Sequence, residues 1–110
     1  MAKSKSPLNK EDYQKNAVLY KVMANAKRLE ILNTIKDREA NVNELSEILG
    51  TRKSNTSQHL MYLRYLGLVT TRRQGKNIYY KVVDPEIVAP CKIFKALREK
   101  RGHINIPSST

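Results

Sequence analysis

The chain has 110 residues, 40% of them hydrophobic, and carries 21 basic against 10 acidic groups for a net charge of +11. That length suits one domain with one modest core, and so small a domain gains by dimerising. No apolar run reaches the ~20 residues of a membrane span, and a single cysteine, Cys91, excludes an internal disulfide and a multi-cysteine metal site within one chain.

Residues 1–8, rich in Lys and Ser with nothing to bury, read as a disordered basic arm. No apolar segment follows them, so they are not a secretory signal, and a cytoplasmic location is expected. Asn9 can cap a first helix running to about Ala24, with Glu11 and Asp12 in its first turn, where the helix dipole favours acids. Asn25 is a second cap, opening AKRLEILNTIKD with Leu29, Leu32 and Ile35 on one stripe and Ile31 beside it. Asn41 and Glu44 have capping-box spacing, and Gly50 stops the short helix they begin. A longer helix follows, with Thr56, Leu60, Leu63 and Leu66 on one buried stripe and Gly67 as its stop. Residues 68–73 and 78–83 are β-branched or aromatic and flank a turn at Gln74–Asn77, which predicts a hairpin. Asp84, Pro85 and Glu86 open a last helix, which Pro90 must kink or restart; beyond it Ile93, Phe94 and Leu97 form an apolar stripe. Gly102 stops this helix, and residues 102–110 read as a flexible tail containing His103. The expectation is a mainly α fold with a small β-hairpin, in the order α-α-α-α-β-β-α, over residues 9–101.

Charge is uneven along this order. Residues 48–83 hold seven basic side chains and no acid, whereas the rest carries 14 basic against 10 acidic. One third of the chain therefore has the electrostatics of a surface that faces a polyanion. Within it, a short helix, a three-residue connection from Gly50 and a longer helix form a helix-turn-helix. The polar side of the second helix offers Arg52, Lys53, Ser54, Asn55, Ser57, Gln58 and His59, short hydrogen-bonding or cationic groups suited to a major groove. Gln58 and Asn55 match adenine; Lys53 matches guanine or a phosphate. The hairpin is then a wing whose Arg72, Arg73 and Lys76 contact the backbone or a minor groove, and Arg28 and Arg64 are candidate phosphate contacts.

ANAKRLEILNTI, VNELSEILG, NTSQHLMYLRYLGLV and TTRRQGKNIYYKV occur in the order and spacing of the ArsR/SmtB family of winged-helix repressors, which the chain resembles over about residues 15–100. The resemblance implies a homodimer built on the first and last helices, binding an operator in double-stranded DNA, with release by an inducer or a reacting thiol. It also implies where sensing residues would lie. VNELSEI lacks the cysteine pair of one class. Asp84 and Glu86 begin the metal pattern of another, but Leu97 and Lys100 occupy its histidine positions. A third class pairs two cysteines in one subunit, and this chain has only Cys91. No metal and no cofactor is expected.

Cys91 reads as a small packing residue near the dimer contact, with a redox-active thiol as the alternative. His59 reads as a DNA contact or a hydrogen-bonding group within the helix pair. Tyr62 and Tyr65 read as packing at the edge of the core; of Tyr79 and Tyr80, one should face inward and the other outward. Two other functions fit less well. A protein-interaction module would expose apolar anchors on this face. A non-specific nucleic-acid-binding protein would leave no footprint. An enzyme is not expected, since no nucleophile–base pair, carboxylate pair or phosphate-cradling loop occurs.

Overall fold

The computed structural model describes residues 5–101. Five helices and one hairpin follow in chain order: α1 (Lys10–Met23), α2 (Ala26–Thr34), α3 (Val42–Leu49), α4 (Lys53–Tyr65), β1 (Val69–Gln74), β2 (Asn77–Val82), a 3-10 turn (Pro85–Val88) and α5 (Ala89–Arg101). The three asparagine caps form as expected: Asn9, Asn25 and Asn41 accept the backbone N–H of Asp12, Arg28 and Glu44. Glu44 returns a bond to the Asn41 N–H at 3.0 Å, completing the capping box. Gly50 ends α3 in the left-handed conformation at φ 67°, where any other residue would be strained. Asp84 caps the Glu86 N–H with Pro85 at the first position, and the chain then restarts as α5 with Pro90 in its first turn, where no N–H is needed.

The core consists of Ile31, Leu32 and Ile35 of α2, Leu45 and Leu49 of α3, Leu60 and Leu63 of α4, and Leu68, Val69, Val82 and Val88 around the hairpin base. Leu29 and Leu66 are half-buried rather than inside. α1 contributes Val22 alone, and no residue of α5 from Ala89 to Lys100 is buried. The Ile93, Phe94 and Leu97 stripe therefore has no fully buried member among the described residues; Leu97 is half-buried, and Ile93 and Phe94 are 56% and 54% exposed.

The hairpin is antiparallel from Val69↔Val82 to Gln74↔Asn77, leaving Gly75 and Lys76 as its turn. α2 stops at Thr34, before the end of the expected segment, and Ala40 then pairs with Tyr80 through N–H to O bonds of 3.2 and 2.9 Å. Val82 also donates to the Ile35 carbonyl at 3.2 Å. No strand-like pattern around Ala40 foretells this pairing, which bolts the hairpin to the end of α2. Residues 5–8 lie outside any helix and are exposed. The remainder of the expected basic arm, the Gly102 stop and His103 fall outside the described residues.

Candidate nucleic-acid interface

The helix pair is held by a small buried hydroxyl cluster. Thr56 is fully buried and its Oγ1 accepts from Ser46 Oγ at 2.9 Å, lies 3.0 Å from Thr51 Oγ1 and donates to the Arg52 carbonyl at 3.3 Å. Two acceptor lone pairs and one proton are thus all used. Lys27 donates to the Leu49 carbonyl at 2.9 Å, tying α2 to the end of α3. These contacts fix the angle at which α4 leaves the turn.

At about 100° per residue, Ser54, Gln58, Met61 and Tyr65 point directly away from the buried Thr56, Leu60 and Leu63. All four are exposed. Lys53, Ser57 and Arg64 lie along one flank of this stripe, Asn55 and His59 along the other; Ser57 and His59 are half-buried. The expected polar face exists, but it is one central row with two shoulders, and the row continues into Met61 and into Tyr65, which was expected at the edge of the core. Tyr65 is 86% exposed, not packed at the core edge. Its position opposite Leu63 and Thr56 turns it to solvent. Tyr62 is also exposed and lies under Arg28, whose guanidinium carbon is 5.2 Å from the ring centroid. Arg28 in turn donates through Nε to the Val22 carbonyl at 2.7 Å, clasping the end of α1. His59 sits beside this cluster; burial, and then the Arg28 charge, push its pKa below the usual value.

The hairpin divides its cations. Arg72 and Arg73 are adjacent in β1 and so project from opposite faces. Arg72 faces Tyr79, with its guanidinium 5.0 Å from the ring centroid, and its Nε is 2.9 Å from Glu39 Oε2. Its Nη1 donates to Gln74 Oε1 at 2.8 Å. The Arg72 hydrogen bond holds the Glu39 carboxyl below its usual range. Glu39 was missed because it lies outside the acid-free segment and reaches the hairpin only through the Ala40–Tyr80 pairing. Arg73 is exposed and Lys76 projects at the tip. Arg64 is exposed in the last turn of α4 and makes no ion pair among the described residues. Tyr80 packs against the core, while Tyr79 carries Arg72, as their alternation requires. Cys91 is half-buried, with its Sγ accepting from Asn33 Nδ2 at 3.5 Å. Among the described residues no group of His, Cys, Asp or Glu could hold a metal ion, and no helix is long and apolar enough to cross a membrane.

A helix-turn-helix whose outward row begins with Ser54 and Gln58, followed by a cationic hairpin braced on the domain, defines a winged helix-turn-helix transcription regulator. Comparison with known proteins agrees. The model of the bacterial regulatory protein arsR family matches residues 25–71. The transcriptional activator HlyU of Vibrio cholerae is 38% identical over 96 residues, covering 84% of this chain and 89% of its own. The structure of reduced HlyU superposes with a TM-score of 0.69 over 83% of this chain and 94% of that one, at 37% identity. The transcriptional repressor PagR of Bacillus anthracis is 36% identical over 76% of this chain and 84% of its own. The homodimeric winged helix-turn-helix DNA-binding domain Mb0332 of Mycobacterium bovis shares the fold, with a TM-score of 0.69 at 23% identity and 94% of each chain covered. This chain belongs to the ArsR family of transcription regulators. It is not an enzyme.

Proposed function

We propose that the protein is a homodimeric repressor that binds a pseudo-palindromic operator, with one α4 in each of two successive major grooves. The observation that carries this reading is the exposed row on α4, bearing Ser54 and Gln58, in a segment without acids and next to the hairpin cations Arg73 and Lys76. Gln58 and Asn55 read base edges, Ser54 and Ser57 assist them, and Arg52, Lys53, Arg64, Arg73 and Lys76 bind phosphates. Arg72 joins the phosphate set only when it leaves Glu39.

The dimer rests on the apolar side chains that the monomer leaves uncovered. Val18, Leu19 and Tyr20 of α1 and Ile93 and Phe94 of α5 are exposed. A groove of about 500 Å³ runs between the two helices, lined by Leu19, Tyr20, Met23, Cys91 and Phe94 among others. Apolar surface on both terminal helices of one small domain is the pattern of a subunit interface. Cys91 packs at its base. We further propose that regulation does not use the family's cysteine pairs or its α5 metal site, because the residues those need are not at the matching positions.

Selection of bound sequences from random DNA tests the reading. A two-fold related site is expected, with binding that weakens steeply as salt rises. Gln58→Ala should cost about 1–3 kcal/mol on that site and little on random DNA, whereas Lys76→Ala should weaken both alike and reduce the salt slope by about 1. Equal losses for the two variants on both DNAs would contradict the division. A promoter–reporter fusion carrying the selected site should be silenced by the protein; a rise in expression would instead assign activation, the role named for HlyU.

A further inference from the structure

The outward row of α4 does not end at Gln58. Met61 follows three residues later on the same line and is 68% exposed. A helix rises 1.5 Å per residue, so Met61 is displaced from Gln58 by about 4.5 Å along the axis, close to one base-pair step. Its neighbours on this side of the helix are Gln58, Ser57, Arg64 and Tyr65, polar, cationic or amphipathic groups, and no acid lies on α4. A flexible, polarizable thioether has no packing role here, since the core lies on the opposite side. The major groove offers one apolar group to such a side chain, the C5-methyl of thymine.

We propose that Met61 is a specificity-determining residue, its side chain packed on the C5-methyl of a thymine at the base pair next to the one read by Gln58. This rests on the operator-binding reading above. It assigns sequence discrimination to a residue with no hydrogen-bonding group, and it extends the reading surface beyond the polar first half of α4.

Deoxyuridine differs from thymidine only by that methyl group, which makes the test direct. Each thymine of the selected half-site is replaced in turn by deoxyuridine, and dissociation constants are measured by fluorescence anisotropy for the wild type, Met61→Ala and Met61→Leu. At one thymine the wild type should lose about four-fold, the worth of one buried methyl group. Met61→Ala should bind the thymine operator that much more weakly and be indifferent to the replacement. Met61→Leu, which keeps an apolar side chain of similar size, should retain the preference. A wild type indifferent to every replacement, a half-site without thymine, or an alanine variant that still discriminates would overturn the assignment while leaving operator binding intact. Failure to select any sequence would remove both, because a protein without sequence preference has no residue that sets it.

Discussion

The buried hydroxyl cluster under the helix pair gives the sharpest test of what holds the interface in shape. Thr56→Val keeps the volume and branching of the side chain, so cavity and shape terms nearly vanish and the hydrogen bonds are isolated. The variant strands the Ser46 hydroxyl, which is 6% exposed, and removes the partner of the Thr51 hydroxyl. Leaving a buried polar group unsatisfied costs about 1–3 kcal/mol; with Thr51 able to turn partly to water, about 2 kcal/mol is the expected loss. For a domain of this size that is roughly 8–16 °C in Tm. Urea and thermal unfolding must be compared at one protein concentration, because the proposed dimerisation would add to the apparent stability. Removing the stranded donor as well should restore part of the loss, so Ser46→Ala combined with Thr56→Val should be less destabilised than the sum of the single variants by about 1 kcal/mol. A Thr56→Val protein as stable as the wild type, or strict additivity, would refute the idea that these bonds fix the turn.

Glu39→Gln removes both an acid beside a polyanion-facing hairpin and the tether on Arg72, so affinity for operator and random DNA should rise together, with a steeper dependence on salt; unchanged binding by titration would show that Arg72 never reaches DNA. His59 is pushed below its usual pKa by burial and by Arg28, so the folded chain binds that proton less readily than the unfolded chain. Its contribution to stability is then present above the ordinary value of 6.5 and lost as pH falls below it. His59→Gln should flatten the stability profile on the acid side of neutrality in urea titrations, and an identical slope in both proteins would contradict this. Phe94→Asp should yield monomers in analytical ultracentrifugation and weaken operator binding while leaving the helical signal intact, since Phe94 is exposed in the single chain.

What the sequence discloses here is mostly local chemistry. Asn9, Asn25 and Asn41 declare the starts of three helices because a cap is satisfied within three residues, and Gly50 declares a stop because its backbone geometry excludes other side chains. The outward position of Gln58 follows from the spacing of Thr56, Leu60 and Leu63. Contacts across long stretches of chain are less visible. The Ala40–Tyr80 pairing joins residues forty apart, and nothing in Asp37–Ala40 resembles a strand. Glu39 and Arg72 meet only through that pairing, so a hairpin that is acid-free in sequence has a carboxylate beside it in space. Tyr65 departs from expectation for another reason: its aromatic character favours a covered site near the core, but its angular position on α4 turns it to solvent. Arg28 makes a side-chain hydrogen bond to the Val22 carbonyl that no helical periodicity encodes.

The short bond pattern linking Ala40, Tyr80, Val82 and Ile35 has a mechanical consequence. It makes the wing and the reading helix a single stiff head with no joint between them, since swinging the wing would break backbone bonds at the end of α2. A stimulus that alters DNA affinity therefore has little to act on inside one subunit. In the proposed dimer its leverage lies in the distance and tilt between two such heads, which the terminal helices would set, so small changes at that seam would be magnified at the grooves.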